Sequence, residues 1–165
     1  MTGGMVLDPR ITEFAKLIVG YSTQTKEEDN VLVQLSDCGM ELATEIYRLA
    51  VEIGASPLIV VTPTEATREY YTVVKEKYLS LVPKHTLALM KASDVVISIR
   101  GEGNPRALSN INPRKMSARQ IALKEITEER LSKRWCLTQF PSGGYAQEAE
   151  MSLREYEDFV YGAIL

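Results

Sequence analysis

The chain is expected to fold as an α/β domain with a four-stranded parallel sheet, and three observations predict it. Short runs rich in branched residues alternate along the sequence with longer stretches whose apolar residues recur at helical spacing. One run, Leu58 to Val61 (LIVV), lacks polar alternation, as a strand covered on both faces should. Capping and breaking residues fall between the runs where a βαβ chain needs them. Such alternation implies right-handed crossovers and parallel neighbours. The doubly wound rule then gives the strand order 2-1-3-4, with helices on both faces in a Rossmann/flavodoxin-like manner.

Each element has its own signal. Asp8-Pro9 caps and starts a first helix, with Ile11, Phe14, Ala15, Ile18 and Tyr21 at helical spacing. Polar Thr23 to Asn30 reads as a loop, and Val31 to Leu35 (VLVQL) as the first strand. Met40 to Ile53 is a helix with Leu42, Ala43, Ile46, Ala50 and Ile53 inward, ended by Gly54. After the second strand, Thr64 to Leu81 reads as a tyrosine-rich helix. Pro83 breaks it, and Thr86 to Ala92 follows as a short helix. Val95 to Ile99 is the third strand. Asn112-Pro113 opens a helix to about Ser132 on Met116, Ile121, Ala122, Ile126 and Leu131. Trp135 to Phe140 is the fourth strand. Ser152 and Glu155 form a capping box that opens a last helix with Leu153, Tyr156, Val160 and Ala163 inward.

Length and composition set the outer bounds. A chain of 165 residues fits one domain, here residues 1–165, and a domain near that size hides ~70% of its unfolded surface. A formal net charge of −3 argues against a nucleic-acid-binding surface, which calls for a basic stripe. No window approaches the ~20 apolar residues of a membrane span, so no membrane partner is expected. Cys38 and Cys136 form no CxxC pair or metal-spaced cluster, and Cys136 reads as a buried thiol. The start MTGGMVLDPR lacks signal-peptide organisation. A cytoplasmic location is expected.

Ligands of an open parallel sheet bind beyond the carboxyl ends of its strands. Four loops follow those ends: Ser36 to Gly39, Thr62 to Glu65, Arg100 to Arg106, and Pro141 to Tyr145. The third packs Arg100, Glu102, Asn104 and Arg106 around Gly101 and Gly103. It suits either a glycine turn with a solvated ion pair or a loop holding a carboxylate through paired arginine hydrogen bonds. It is a poor dinucleotide fingerprint, since the third glycine position holds Arg106. Ser142-Gly143-Gly144 reads either as a tight turn or as an anion nest. There is no GxSxG elbow and no GxxxxGK[ST] phosphate loop. The acids Glu148, Glu150, Glu155, Glu157 and Asp158 suit a helix start, or else contacts to another domain, better than a metal site. His85, the single histidine, begins a helix and reads as a surface or capping residue.

Four segments carry a resemblance over essentially the whole chain: DPRITEFAKLIVGYST, EIYRLAVEIGASP, SIRGEGNPRALSNINPRK and FPSGGYAQEAEMSLREYEDFVYGA. Together they resemble the amino-terminal domain of the thermophilic metallo-aminopeptidase family, the aminopeptidase T and aminopeptidase S group. The resemblance implies a hydrolase that removes amino-terminal residues from peptides with two divalent metals, zinc, cobalt or magnesium. The family's ligands are glutamates, histidines and an aspartate of a carboxyl-terminal domain. None of those positions occurs in this sequence, so no catalytic or metal-binding residue carries over.

The expectation is therefore a domain inactive alone, acting on peptide only with a catalytic domain. A free-standing small-anion-binding domain and a dimerisation module are the alternatives. Arg100, Glu102, Asn104, Arg106, Gln139, Tyr145 and Glu148 are the substrate-side or interdomain candidates, because the loops after the last two strands should meet. A homo-oligomer is expected, because Tyr156, Phe159, Val160, Tyr161, Ile164 and Leu165 make the last helix apolar on more than one face.

Overall fold

The computed structural model describes residues 8–165. Four strands form one sheet in the order β2-β1-β3-β4, and every pairing is parallel. The strands are β1 Asn30–Leu35, β2 Ser56–Val61, β3 Val95–Arg100 and β4 Arg134–Gln139. The helices are α1 Pro9–Lys16, α2 Met40–Ile53, α3 Thr64–Val73, α4 Lys84–Ala92, α5 Pro113–Ala122, α6 Lys124–Leu131, α7 Gly143–Glu148 and α8 Leu153–Ile164. The predicted fold class and strand order are those observed.

The two faces of the sheet differ. On one face Val31, Val33, Leu35, Val95, Ile97 and Ile99 pack against Phe14, Ala15, Ile18, Leu42, Ile46 and Tyr161 of α1, its continuation, α2 and α8. Full burial of each large side chain contributes about 1.5–3 kcal/mol, so this face holds most of the core. On the other, the buried cluster is small: Leu32 and Val96 under Met90 of α4 and Ile126 of α6.

Several local expectations are corrected. The chain leaves α1 through a π-helical turn, Leu17–Ser22, closed by Thr23 N–H to the Ile18 carbonyl at 2.9 Å. The wider turn rotates Tyr21 outward to 77% exposure. β2 is an edge strand, so Leu58 and Val61 are substantially exposed and Pro57 is tolerated within it. The tyrosine-rich helix stops at Val73, where Val74 turns extended. The helix after Asn112 divides at Leu123 into α5 and α6, leaving Ile121 and Leu131 exposed. In α2, Ile53 faces outward. In α8, Tyr156, Val160 and Tyr161 face inward, while Leu153 and Ala163 are exposed. Three of the six residues expected to form an exposed patch are thus buried in the chain itself. Cys136 is half-buried beside the main core, and burial pushes its thiol pKa up.

Caps follow the sequence closely. Asp8 Oδ1 accepts from Arg10 N–H at 2.9 Å, Asn112 Oδ1 from Arg114 N–H at 2.9 Å, and the Ser152–Glu155 capping box is complete. Gly54 closes α2 at φ 91°. Arg10 also ties α1 to α8, reaching Asp158 at 2.6 Å and lying 4.6 Å from the Tyr161 ring centre.

Asp94, just before β3, accepts from Asn30 N–H at 2.8 Å and from Asn30 Nδ2 at 3.1 Å. Those bonds, the backbone one foremost, hold the Asp94 carboxyl below its usual range. A depressed folded-state value contributes stability above the unfolded value, and that contribution is lost as pH falls through the folded one. Asp94→Asn should therefore lower Tm at pH 7. Its deficit should shrink as pH falls below about 4, the ordinary carboxylate range. Thermal melts from pH 2.5 to 7 check this; a deficit independent of pH contradicts it.

Candidate functional site

The loops at the carboxyl edge of the sheet are joined mainly by backbone. Cys38 N–H donates to the Gly101 carbonyl at 2.8 Å, and Phe140 N–H to the Arg100 carbonyl at 2.6 Å. Ser36 Oγ reaches the same Gly101 carbonyl at 3.0 Å. Ser142 Oγ donates to the Glu102 carbonyl at 2.7 Å and accepts from Tyr145 N–H at 3.4 Å, capping α7. Ser142-Gly143-Gly144 is therefore the start of a six-residue helix.

Two glycines make these approaches possible. A Cβ on Gly101 would lie 2.6 Å from the Cys38 carbonyl oxygen. A Cβ on Gly144 would lie 2.5 Å from the Glu102 oxygen and 2.7 Å from that of Gly103. Their neighbours Gly103 and Gly143 have open space at the corresponding position.

The seven predicted site residues do gather at one edge, but in two groups. Glu102 and Asn104 line a crevice of about 360 Å³ with Ser36, Thr62 and Thr64. This crevice lies where the chain departs in opposite directions from β1, to β2 on one side and β3 on the other, the switch point at which open sheets bind ligands. Thr64 N–H donates to Asp37 Oδ1 at 2.8 Å, fixing the start of α3 against the loop after β1. The switch-point rule, applied to the order 2-1-3-4, is the signal that would have singled out Ser36 after β1 from sequence; Thr62 follows β2 and is brought to the crevice by the fold.

The second group faces the β4 side. Arg106 grips Glu148 with two bonds, Nε to Oε1 at 2.7 Å and a terminal nitrogen to Oε2 at 3.1 Å. Asn104 Oδ1 accepts from Arg106 N–H at 3.0 Å. Gln139 Nε2 donates to the Tyr156 hydroxyl. Tyr145 has its pKa raised, first by burial and then by the charge of Glu102, with Arg100 opposing. Arg100 ends β3 and is exposed.

These residues do not fit a two-metal centre. Among the described residues no three of His, Cys, Asp and Glu gather as a metal site. Both Glu148 oxygens are occupied by Arg106. Of the other acids near the last helix, Glu155 accepts from Ser152 N–H at 3.0 Å. Asp158 and Glu157 pair with Arg10 at 2.6 and 3.8 Å. His85 is exposed near the start of α4.

Gly144→Ala and Gly101→Ala should each destabilise the fold by about 1–3 kcal/mol, the usual cost of forced overpacking. Gly143→Ala and Gly103→Ala should be close to neutral. Urea unfolding of the four variants checks this, and equal effects at crowded and open positions contradict the packing account.

No curated protein sequence matches the chain at a significant level. Among solved structures, wild-type AmpT from Thermus thermophilus matches with a TM-score of 0.75 at 16% identity, covering 94% of this chain and 42% of that one. The likeness extends to the fold, and the chain spans less than half the length of AmpT. An alcohol dehydrogenase superfamily protein from Novosphingobium aromaticivorans covers 96% of this chain and 51% of that one at 17% identity. Its TM-score of 0.35 is too low to indicate a shared architecture. No helix among the described residues is long and apolar enough to cross a membrane. The profile of the family described as thermophilic metalloprotease (M29) matches residues 7–165, so the chain belongs to that family.

Proposed function

We propose that this chain is the amino-terminal, cleft-wall and assembly domain of a metal-dependent aminopeptidase of the leucyl aminopeptidase type, which hydrolyses amino-terminal residues from peptides. Family membership over residues 7–165 supports the reading. So does the match to 42% of a longer chain. The observation that carries it is the crevice at the switch point, where Glu102 and Asn104 meet Ser36 and Thr62.

In this reading the two divalent metals, zinc, cobalt or magnesium, are held by a separate domain, since the described residues do not gather a ligand set. Glu102 has a carboxylate for the peptide's amino terminus, and Asn104 and Ser36 offer hydrogen bonds to its backbone. Arg106 and Glu148 brace the loop after β3 against α7. Exposed Phe159 and Leu165 on and beyond α8 supply the surface for a homo-oligomer or a neighbouring domain. Two free cysteines suit a reducing, cytoplasmic setting. The small-anion alternative has less support, because Arg106 is already committed to Glu148.

The test has two arms. The isolated chain, supplied with cobalt, zinc or magnesium, should release no amino acid from leucyl anilides or dipeptides. Metal-dependent turnover that survives repurification contradicts the placement of the metals elsewhere. In a longer family member carrying the same loop segments, Arg100→Ala or Glu102→Ala at the matching positions should lower kcat/KM about tenfold, roughly 1.4 kcal/mol, with Tm unchanged. Unaltered kinetics in both variants contradict the cleft-wall role.

A further inference from the structure

The second face of the sheet changes character along the strands. Toward the amino ends it is apolar, with Leu32 and Val96 in register beneath Met90 and Ile126. Two residues further on, the same face shows Gln34 and Ser98, also in register with one another. Polar side chains at the centre of a sheet normally find partners within the protein. Neither side chain makes a hydrogen bond to another described residue, and neither is a buried orphan. Both instead line a cavity of about 530 Å³ between this face and helices α3 to α6. That volume lies within the ~300–1,000 Å³ typical of small-molecule sites.

The walls define the chemistry of an occupant. Tyr70 and Tyr71 stand on one side, and Met90, Leu123 and Ile126 supply an apolar surface. Arg119 and Arg130 line the cavity, and no carboxylate does. Neither arginine is in an ion pair among the described residues. Arg119 is held by the carbonyls of Leu79 and Leu81 and lies 5.1 Å from the Tyr70 ring centre. Arg130 lies 5.2 Å from the ring centre of Trp135, and its N–H groups have no acceptor among the described residues. An apolar wall, a polar floor and a planar cation without an acid suit a molecule with an apolar body and one carboxylate.

We propose that this cavity is a binding site for a small amphipathic monocarboxylate, its apolar body against Met90, Ile126 and the tyrosines and its carboxylate on Arg130. A phosphate monoester is the less suitable anion. Its larger charge calls for more donors than one uncommitted arginine, and the cavity has no lysine. The site shares only Thr62 and Thr67 with the crevice of the proposed cleft wall, and it does not depend on that reading.

Calorimetric titration with 3-phenylpropanoate, 3-phenylpropanamide and phenyl phosphate tests the assignment on the full chain, with melts as a folding control. The carboxylate should bind, and the amide at least about tenfold more weakly, as expected when a charge-assisted hydrogen bond is lost. Arg130→Gln should weaken the carboxylate about tenfold and leave the amide unaffected. Ser98→Val suits a strand and fills the floor, and it should abolish binding of both with Tm maintained. The proposal is overturned if the carboxylate shows no heat up to millimolar concentration, if amide and carboxylate bind alike, or if phenyl phosphate binds more tightly. Unchanged binding in folded Arg130→Gln and Ser98→Val proteins overturns it too.

Discussion

At the carboxyl edge of the sheet main chain meets main chain, and the arrangement of the loops there follows from that contact. Gly101 lies against the Cys38 carbonyl, and Gly144 against the carbonyls of Glu102 and Gly103. At such separations no side chain larger than hydrogen fits without moving main chain. The loops after β1, β3 and β4 consequently form one layer, stitched by the Cys38 and Phe140 amides. Ser142 adds a side-chain bond to the same strand end and starts α7. The crevice with Glu102, Asn104 and Ser36 is the space this layer leaves at the switch point. Loops held in this way present polar groups without rearranging them, as the proposed role would need.

Much of the fold was legible in the sequence because its signals are local. Branched or apolar runs marked the first three strands, the fourth was read from the short apolar stretch after Lys133, and the Asp8, Asn112 and Ser152 caps marked three helix starts where the structure places them. What failed depends on position in the finished sheet. LIVV reads like a central strand, but β2 is an edge, and the exposure of Leu58 follows from that position rather than from its own residues. The π-helical turn after Lys16 shifts the inward face, so Tyr21 points outward although its spacing is helical. In α8 the cap fixed the start correctly, yet Leu153 and Ala163 of the four expected inward residues are exposed and Tyr161 is buried instead, because its ring packs against Phe14.

The site was legible in part for the same reason. Adjacent parallel strands end together, so the loops after β3 and β4 had to meet once the order was known, and they do. How seven candidates divide between crevice and brace needed side-chain geometry: Arg106 and Glu148 are far apart in sequence and bind each other. The cavity on the second face was not legible at all. Gln34 and Ser98 look like single polar interruptions in two apolar strands, and only the register of β1 with β3 makes them one polar floor.

If the carboxyl-edge loops form a single rigid layer with β3, their amides should open only when that strand does. Native-state hydrogen exchange of the Cys38 and Phe140 amides reads this out. Both amides lie in segments just outside strands, where loop amides normally exchange through small local openings. Both should be protected to within about tenfold of the β3 amides, since opening either bond requires breaking the glycine contacts beneath it. Exchange of Cys38 and Phe140 at the rate of unprotected loop amides, with β3 itself protected, would contradict it.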